Sequence, residues 1–151
     1  LTWALYEKIK FGRVSTVGVV TGTVAGLAAI TPAAGYVGPL AALVIGAVSG
    51  VLCQEAVVLV KGRLQIDDTL DVFGVHGVGG IFGTLMVAAF GGGTWAAQLG
   101  GLVLVGLWTL AATWALIKLC ARITPLRVDA ETEANGLDLS AHGERAYEMN
   151  S

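Results

Sequence analysis

Charged residues are absent between Arg13 and Glu55, and again between Asp71 and Lys118. Each apolar run exceeds the ~20 residues needed to cross a bilayer once, and each is interrupted near its middle. The first contains TPAAGYVGPL, where Pro32, Gly35, Gly38 and Pro39 break helices and make turns. The second is divided by Gly91, Gly92 and Gly93. The pattern therefore predicts four apolar helices, at about 14–30, 40–60, 70–90 and 95–120. KGRLQIDD is predicted as a polar loop between the second and third. Residues 1–10 read as the end of a further membrane helix. LTWALY is too short to span, and no basic stretch precedes an apolar core as in a signal peptide. The chain does not begin with methionine, so it is expected to be the C-terminal part of a longer membrane protein. Beyond Pro125 the chain is polar and acidic. Residues 125–151 are expected to form a cytoplasmic tail, with helical turns near 129–135 and 140–147.

Composition agrees with a polytopic all-α membrane bundle. The 151 residues are 55% hydrophobic and 13% charged, against about 25% charged in soluble domains. A net charge of −2 gives no reason to expect nucleic acid as a partner. Lys8, Lys10 and Arg13 flank one loop, Lys61 and Arg63 the next but one, and Lys118, Arg122 and Arg127 follow the last span. The loops between carry no Lys or Arg. This alternation places the basic loops and the tail in the cytoplasm by the positive-inside rule. Cys53 and Cys120 form neither a disulfide framework nor a zinc-type spacing, and read as small buried hydrophobes. Gly18, Gly22 and Gly26, then Gly46 and Gly50, then Gly79 and Gly83 recur at four-residue spacing. Small residues so spaced let membrane helices approach closely.

His76 is the exception inside the third apolar segment. An ionisable side chain in a span is by default a functional-site candidate; the competing reading is interhelical hydrogen bonding, on even terms from residue pattern alone. A helix starting at Leu70 would put His76 roughly 9 Å in from its cytoplasmic end. Gly74 and Gly77 leave room beside the ring, and Gly79, Gly80 and Gly83 continue close to that face. The spans hold no second His, Cys pair or carboxylate cluster to complete a metal site, so neither metal nor cofactor is expected. An uncharged imidazole, the form an apolar surround favours, donates from one nitrogen and accepts at the other. That suits proton relay or binding of a small polar molecule. Asp71 is read as a helix cap, and Asp67 and Asp68 as solvated loop residues. Glu55, inside the cytoplasmic end of a span, could reach the interface or meet a basic residue of another helix.

ITPAAGYVG, QIDD, DVFGVHGVGGIFG and GLDLSAHGERAY occur in this order. Together they resemble the C-terminal part of an ammonium transporter of the Amt/Mep/Rh family, on the bacterial-type Amt branch, over nearly the whole chain. The resemblance implies the C-terminal half of an eleven-helix inverted-repeat fold in a homotrimer, with a hydrophobic pore in each subunit. By that resemblance His76 is the second of two pore histidines that share a hydrogen bond, and the first lies upstream. Inverted repeats place such sites near the midplane, deeper than the simple count, which would fit a helix beginning within QIDD. Val72 and Thr31 match positions near the pore wall, with Asp71, Gly79 and Gly80 as structural neighbours. Gly136, Asp138, His142, Gly143 and Glu144 match the tail segment that contacts PII-type signal proteins; His142 reads equally well as a solvated surface residue.

The implied function is ammonium or ammonia transport across the cell membrane. Ammonium would lose its proton and ammonia would pass along the histidine pair, since a bare ion in an apolar pore carries a large desolvation cost. The alternative is an ammonium sensor of the same fold with little flux. Such sensors typically carry an added signalling domain, which about 26 residues after Pro125 could not supply. An intramembrane enzyme is disfavoured, because the spans hold no nucleophile or paired acid and base.

Overall fold

The computed structural model describes residues 1–144, and residues 145–147 of the expected tail turn lie outside them. The described residues form helices and turns without a strand. Two compact units divide the chain, Leu1–Val105 and Gly106–Ser151.

In the first unit, α1 (Thr2–Phe11) ends at Gly12, whose φ of 77° gives the left-handed cap that glycine adopts without strain. Ser15 then caps α2 (Thr16–Ile30), its Oγ accepting from the Gly18 amide at 2.9 Å. Glu7 holds Ser15 in place, accepting from its amide at 3.0 Å and its hydroxyl at 2.8 Å. A 3-10 turn over Thr31–Ala33 and Gly35, with φ 85°, reverse the chain. α3 (Pro39–Val57) starts on a proline at its first position, where a missing N–H costs nothing. It runs on through a π-helical turn, Val58–Arg63. Lys61, Gly62 and Arg63 are thus helical, not part of a loop. α4 (Val78–Ala89) is preceded by a second π-turn, Phe73–Gly77.

Two buried clusters set the packing. Trp3, Ala25, Cys53 and Val75 form one; Ala29, Ala33, Ile45 and Val87 form the other. Residue order in these clusters makes α2 and α4 parallel, with α3 antiparallel to both. Much of the contact is glycine against backbone or ring. A Cβ on Gly83 would land on the Ala29 carbonyl, one on Gly50 on Thr2, and one on Gly22 on Trp3. A Cβ on Gly26 or Gly46 would meet nothing within 4 Å, so the glycine stripes are packed at some positions and open at others.

Three helices are long and apolar enough to cross a membrane among the described residues: Thr16–Ala33, Pro39–Arg63 and Trp95–Cys120. Phe73–Ala89 is apolar but shorter. The long helix α5 (Trp95–Cys120) has 26 residues and none buried, about 39 Å at α-helical rise. Exposed Val17, Val20, Leu27, Leu40 and Leu43 clothe α2 and α3 as well. Apolar surface all round is what a lipid solvent requires. Cys53 is buried as expected, whereas Cys120, at the end of α5, is exposed.

The second unit contains the tail. Asp129 caps α6 (Ala130–Asn135), accepting from the Thr132 amide and hydroxyl at 2.9 Å each. These bonds, the amide's first, hold the Asp129 carboxyl below the usual aspartate range. Arg127 clasps Glu133 through Nε at 3.1 Å and a terminal guanidinium nitrogen at 2.7 Å. α7 (Leu137–His142) follows Gly136, whose φ is 92°.

Candidate functional site

The segment between α3 and α4 determines how His76 is presented. Residues 64–71 are not helical, and helical geometry begins at Val72. The helix therefore does not start within QIDD. From Val72, simple rise puts His76 about 6 Å in.

The cap is Asp68. Its carboxylate accepts from the amides of Val72 at 2.8 Å, Phe73 at 2.9 Å and Gly74 at 3.4 Å. Three of the amides left free at a helix start are thereby satisfied. Asp71, expected to cap, does something else. Its φ of 56° is left-handed, so its backbone turns the chain into the helix. Its side chain pairs with Lys61 Nζ at 3.0 Å, tying the end of α3 to the start of the His76 helix. Its carbonyl accepts from the Val75 amide at 2.8 Å. Asp68 was expected to be solvated because its carboxylate looks like loop chemistry.

The turn that carries His76 is π-helical. Val78 donates to the carbonyls of both Phe73 and Val75. One-turn π insertions inside helices occur frequently at functional sites. Gly74 and Val75 are buried, and a Cβ on Gly74 would collide with Val57 of α3. Val72, Phe73 and His76 are exposed on the other side. A Cβ on Gly80, one turn on, would meet nothing within 4 Å. His76 thus stands on an open, glycine-flanked face that no element of this unit covers.

The other candidates divide. Gly79 faces the bundle, where a Cβ would lie 3.3 Å from Cys53 Sγ. Thr31 is exposed, and its hydroxyl donates to the Leu27 carbonyl at 2.6 Å. The buried clusters put His76 near the level of Ala25, so Thr31 lies roughly two helical turns along from it. Val72 shares the His76 helix, but Thr31 is not brought beside the ring. Glu55 pairs with Lys10 of α1, whose ammonium also lies 5.4 Å from the Tyr6 ring centre. Among the described residues no three His, Cys, Asp or Glu side chains gather to hold a metal ion.

In the tail, Gly136 and Gly143 both have left-handed φ, 92° and 69°. A Cβ on Gly136 would meet the Asp138 carboxylate at 2.7 Å. The Glu144 amide donates to the Asp138 carbonyl at 3.2 Å, and His142 closes α7 in an exposed position. These five residues thus share one compact turn-helix-turn.

Residues 1–147 match the family model described as the Ammonium Transporter Family. A putative ammonium transporter of Methanothermobacter thermautotrophicus is 40% identical over 97% of this chain and 40% of its own length. An ammonium transporter of Bacillus subtilis is 35% identical with the same two coverages, 97% and 40%. Among solved structures, a Mep2 mutant from Candida albicans superposes with a TM-score of 0.71 at 36% identity, over 95% of this chain and 36% of that one. The chain thus spans about 40% of the length of the curated relatives it matches.

Proposed function

The chain belongs to the ammonium transporter family, and from that premise we propose that it forms part of a path for ammonium or ammonia across the cell membrane. The observation that carries this reading is His76. It is an imidazole on an open face of an apolar helix, flanked by glycines, inside the matched region.

The chemistry follows from solvation. Ammonium leaves water at a large cost in an apolar passage. Loss of its proton, left to the water outside or relayed through the imidazoles, removes most of that cost, and ammonia then needs only hydrogen-bonding partners. An imidazole offers a donor on one ring nitrogen and an acceptor on the other. In this reading His76 is one of two such rings, the other supplied by the upstream part of the protein. Val72 and Thr31 belong to the passage wall, and Asp71, Gly79 and Gly80 support it. The functional particle is a homotrimer in lipid. Its tail, through Gly136, Asp138, His142, Gly143 and Glu144, faces the cytoplasm and meets a PII-type signal protein. What supports the tail assignment is the turn-helix-turn that presents these residues together.

The test is flux. Liposomes carrying the full-length parent protein should take up ammonium or methylammonium well above protein-free liposomes. Equal rates, with protein shown to be folded and inserted, would overturn the reading.

A further inference from the structure

The thiol of Cys53 is fully buried in α3 and lies against the π-turn that carries His76. Its Sγ donates to the Val75 carbonyl at 3.8 Å, within reach of a sulfur donor. Val75 is the residue before His76. Its carbonyl sits where the π-turn passes into α4, sharing the Val78 amide with Phe73. The thiol adds a side-chain donor to that carbonyl from a neighbouring helix. Neighbouring residues make the approach possible. Gly74 leaves space for Val57, and Gly79 leaves Sγ its place, since a Cβ there would approach it to 3.3 Å.

We propose that Cys53 is a positioning residue for His76: its buried thiol holds the Val75 carbonyl, and with it the π-turn that sets the direction of the imidazole. The physical reason is rotational. A π-turn takes up one residue more than an α-turn. Relaxing it to α would rotate Val72–His76 against α4 by about 100°, the angle of one residue. The imidazole would then leave the open face it shares with Gly80. The role in transport rests on the function proposed above; the role in the turn does not.

The full-length protein tests both. In the infrared, the Cys53 S–H stretch, identified by its loss in Cys53→Ala, should lie at the lowered frequency of a hydrogen-bonded thiol. A free-thiol frequency overturns the proposal, and this measurement needs no variant to be active. With 15N-labelled histidine, the His76 imidazole signals, identified by their loss in His76→Gln, should move in Cys53→Ala and return in Cys53→Ser. Unmoved signals in Cys53→Ala, or signals equally displaced in Cys53→Ser, overturn it. In flux, Cys53→Ala should change KM by at least about threefold, or move the midpoint of the pH profile by at least about 0.5 unit, the scale of one weak hydrogen bond, and Cys53→Ser should restore both. A lower yield of folded protein with KM and pH profile unchanged marks a packing residue only and overturns the proposal. If the unsubstituted protein carries no flux, the transport reading fails, while the thiol and imidazole spectra still decide the role of Cys53.

Discussion

At the residue scale, the chemistry around His76 depends on side chains that are not themselves at the open face. Asp68 satisfies three amides at the start of the helix, and an N-cap of this kind contributes about 0.5–2 kcal/mol. Asp68→Ala should therefore lower the thermal midpoint of the detergent-solubilised full-length protein. Asp68→Asn, which keeps an acceptor, should lower it less. Equal midpoints for Asp68→Ala and the unsubstituted protein would show that the Asp68 cap does not stabilise this helix. The sequence singled out His76 because an imidazole in an apolar run is conspicuous. It gave the cap to Asp71 and left Asp68 to solvent, the reverse of the structure, because both carboxylates stand near the helix start. Only the left-handed backbone of Asp71 and its pairing with Lys61 assign the two roles.

At the element scale, close approach of α2 and α4 depends on Gly83, which faces the Ala29 carbonyl. Backbone cannot yield as a side chain can, so Gly83→Val should destabilise by about 1–3 kcal/mol, in the range of overpacked cores. Gly79→Ala comes no closer than 3.3 Å, to the Cys53 sulfur, with Ala28 Cβ and Ala29 N in ordinary contact at 3.7 Å, and should cost less than Gly83→Ala in the same thermal assay. The reverse order would contradict the packing described. Glycine spacing announced that helices would pack closely, but not which glycines would touch. Gly26 and Gly46, in the same stripes, have room for a Cβ. The π-turns were illegible for a related reason: apolar periodicity records which face is buried and is blind to one residue inserted in a turn. In the tail, Asp129 titrates below the usual aspartate range because it caps α6. A depressed pKa contributes stability that is present at neutral pH and lost as pH falls through the depressed value. Amide shifts of Thr132 should therefore report loss of the α6 cap in acid below the ordinary aspartate range, and Asp129→Asn should flatten that transition. An unchanged Thr132 profile in Asp129→Asn would assign the titration to another group.

At the scale of the molecule, the Leu1–Val105 unit packs through small residues and leaves long helices apolar on every side. Charge-free runs and the prolines and glycines that divide them made this class of fold readable, because lipid enforces both. The open face at His76 could not be read in that way. It follows from which side of the π-turn α3 occupies, and so from tertiary contacts. The relatives extend well beyond the matched segment, so the role of His76 is a property of the whole protein. The most direct measurement is ammonium-evoked flux and the accompanying charge movement in liposomes, for the full-length parent and for His76→Ala at equal folded incorporation. With His76 in the conduction path, His76→Ala is expected to abolish flux or alter the charge moved per ammonium. Unchanged flux, selectivity and charge movement would contradict it and return His76 to a packing role.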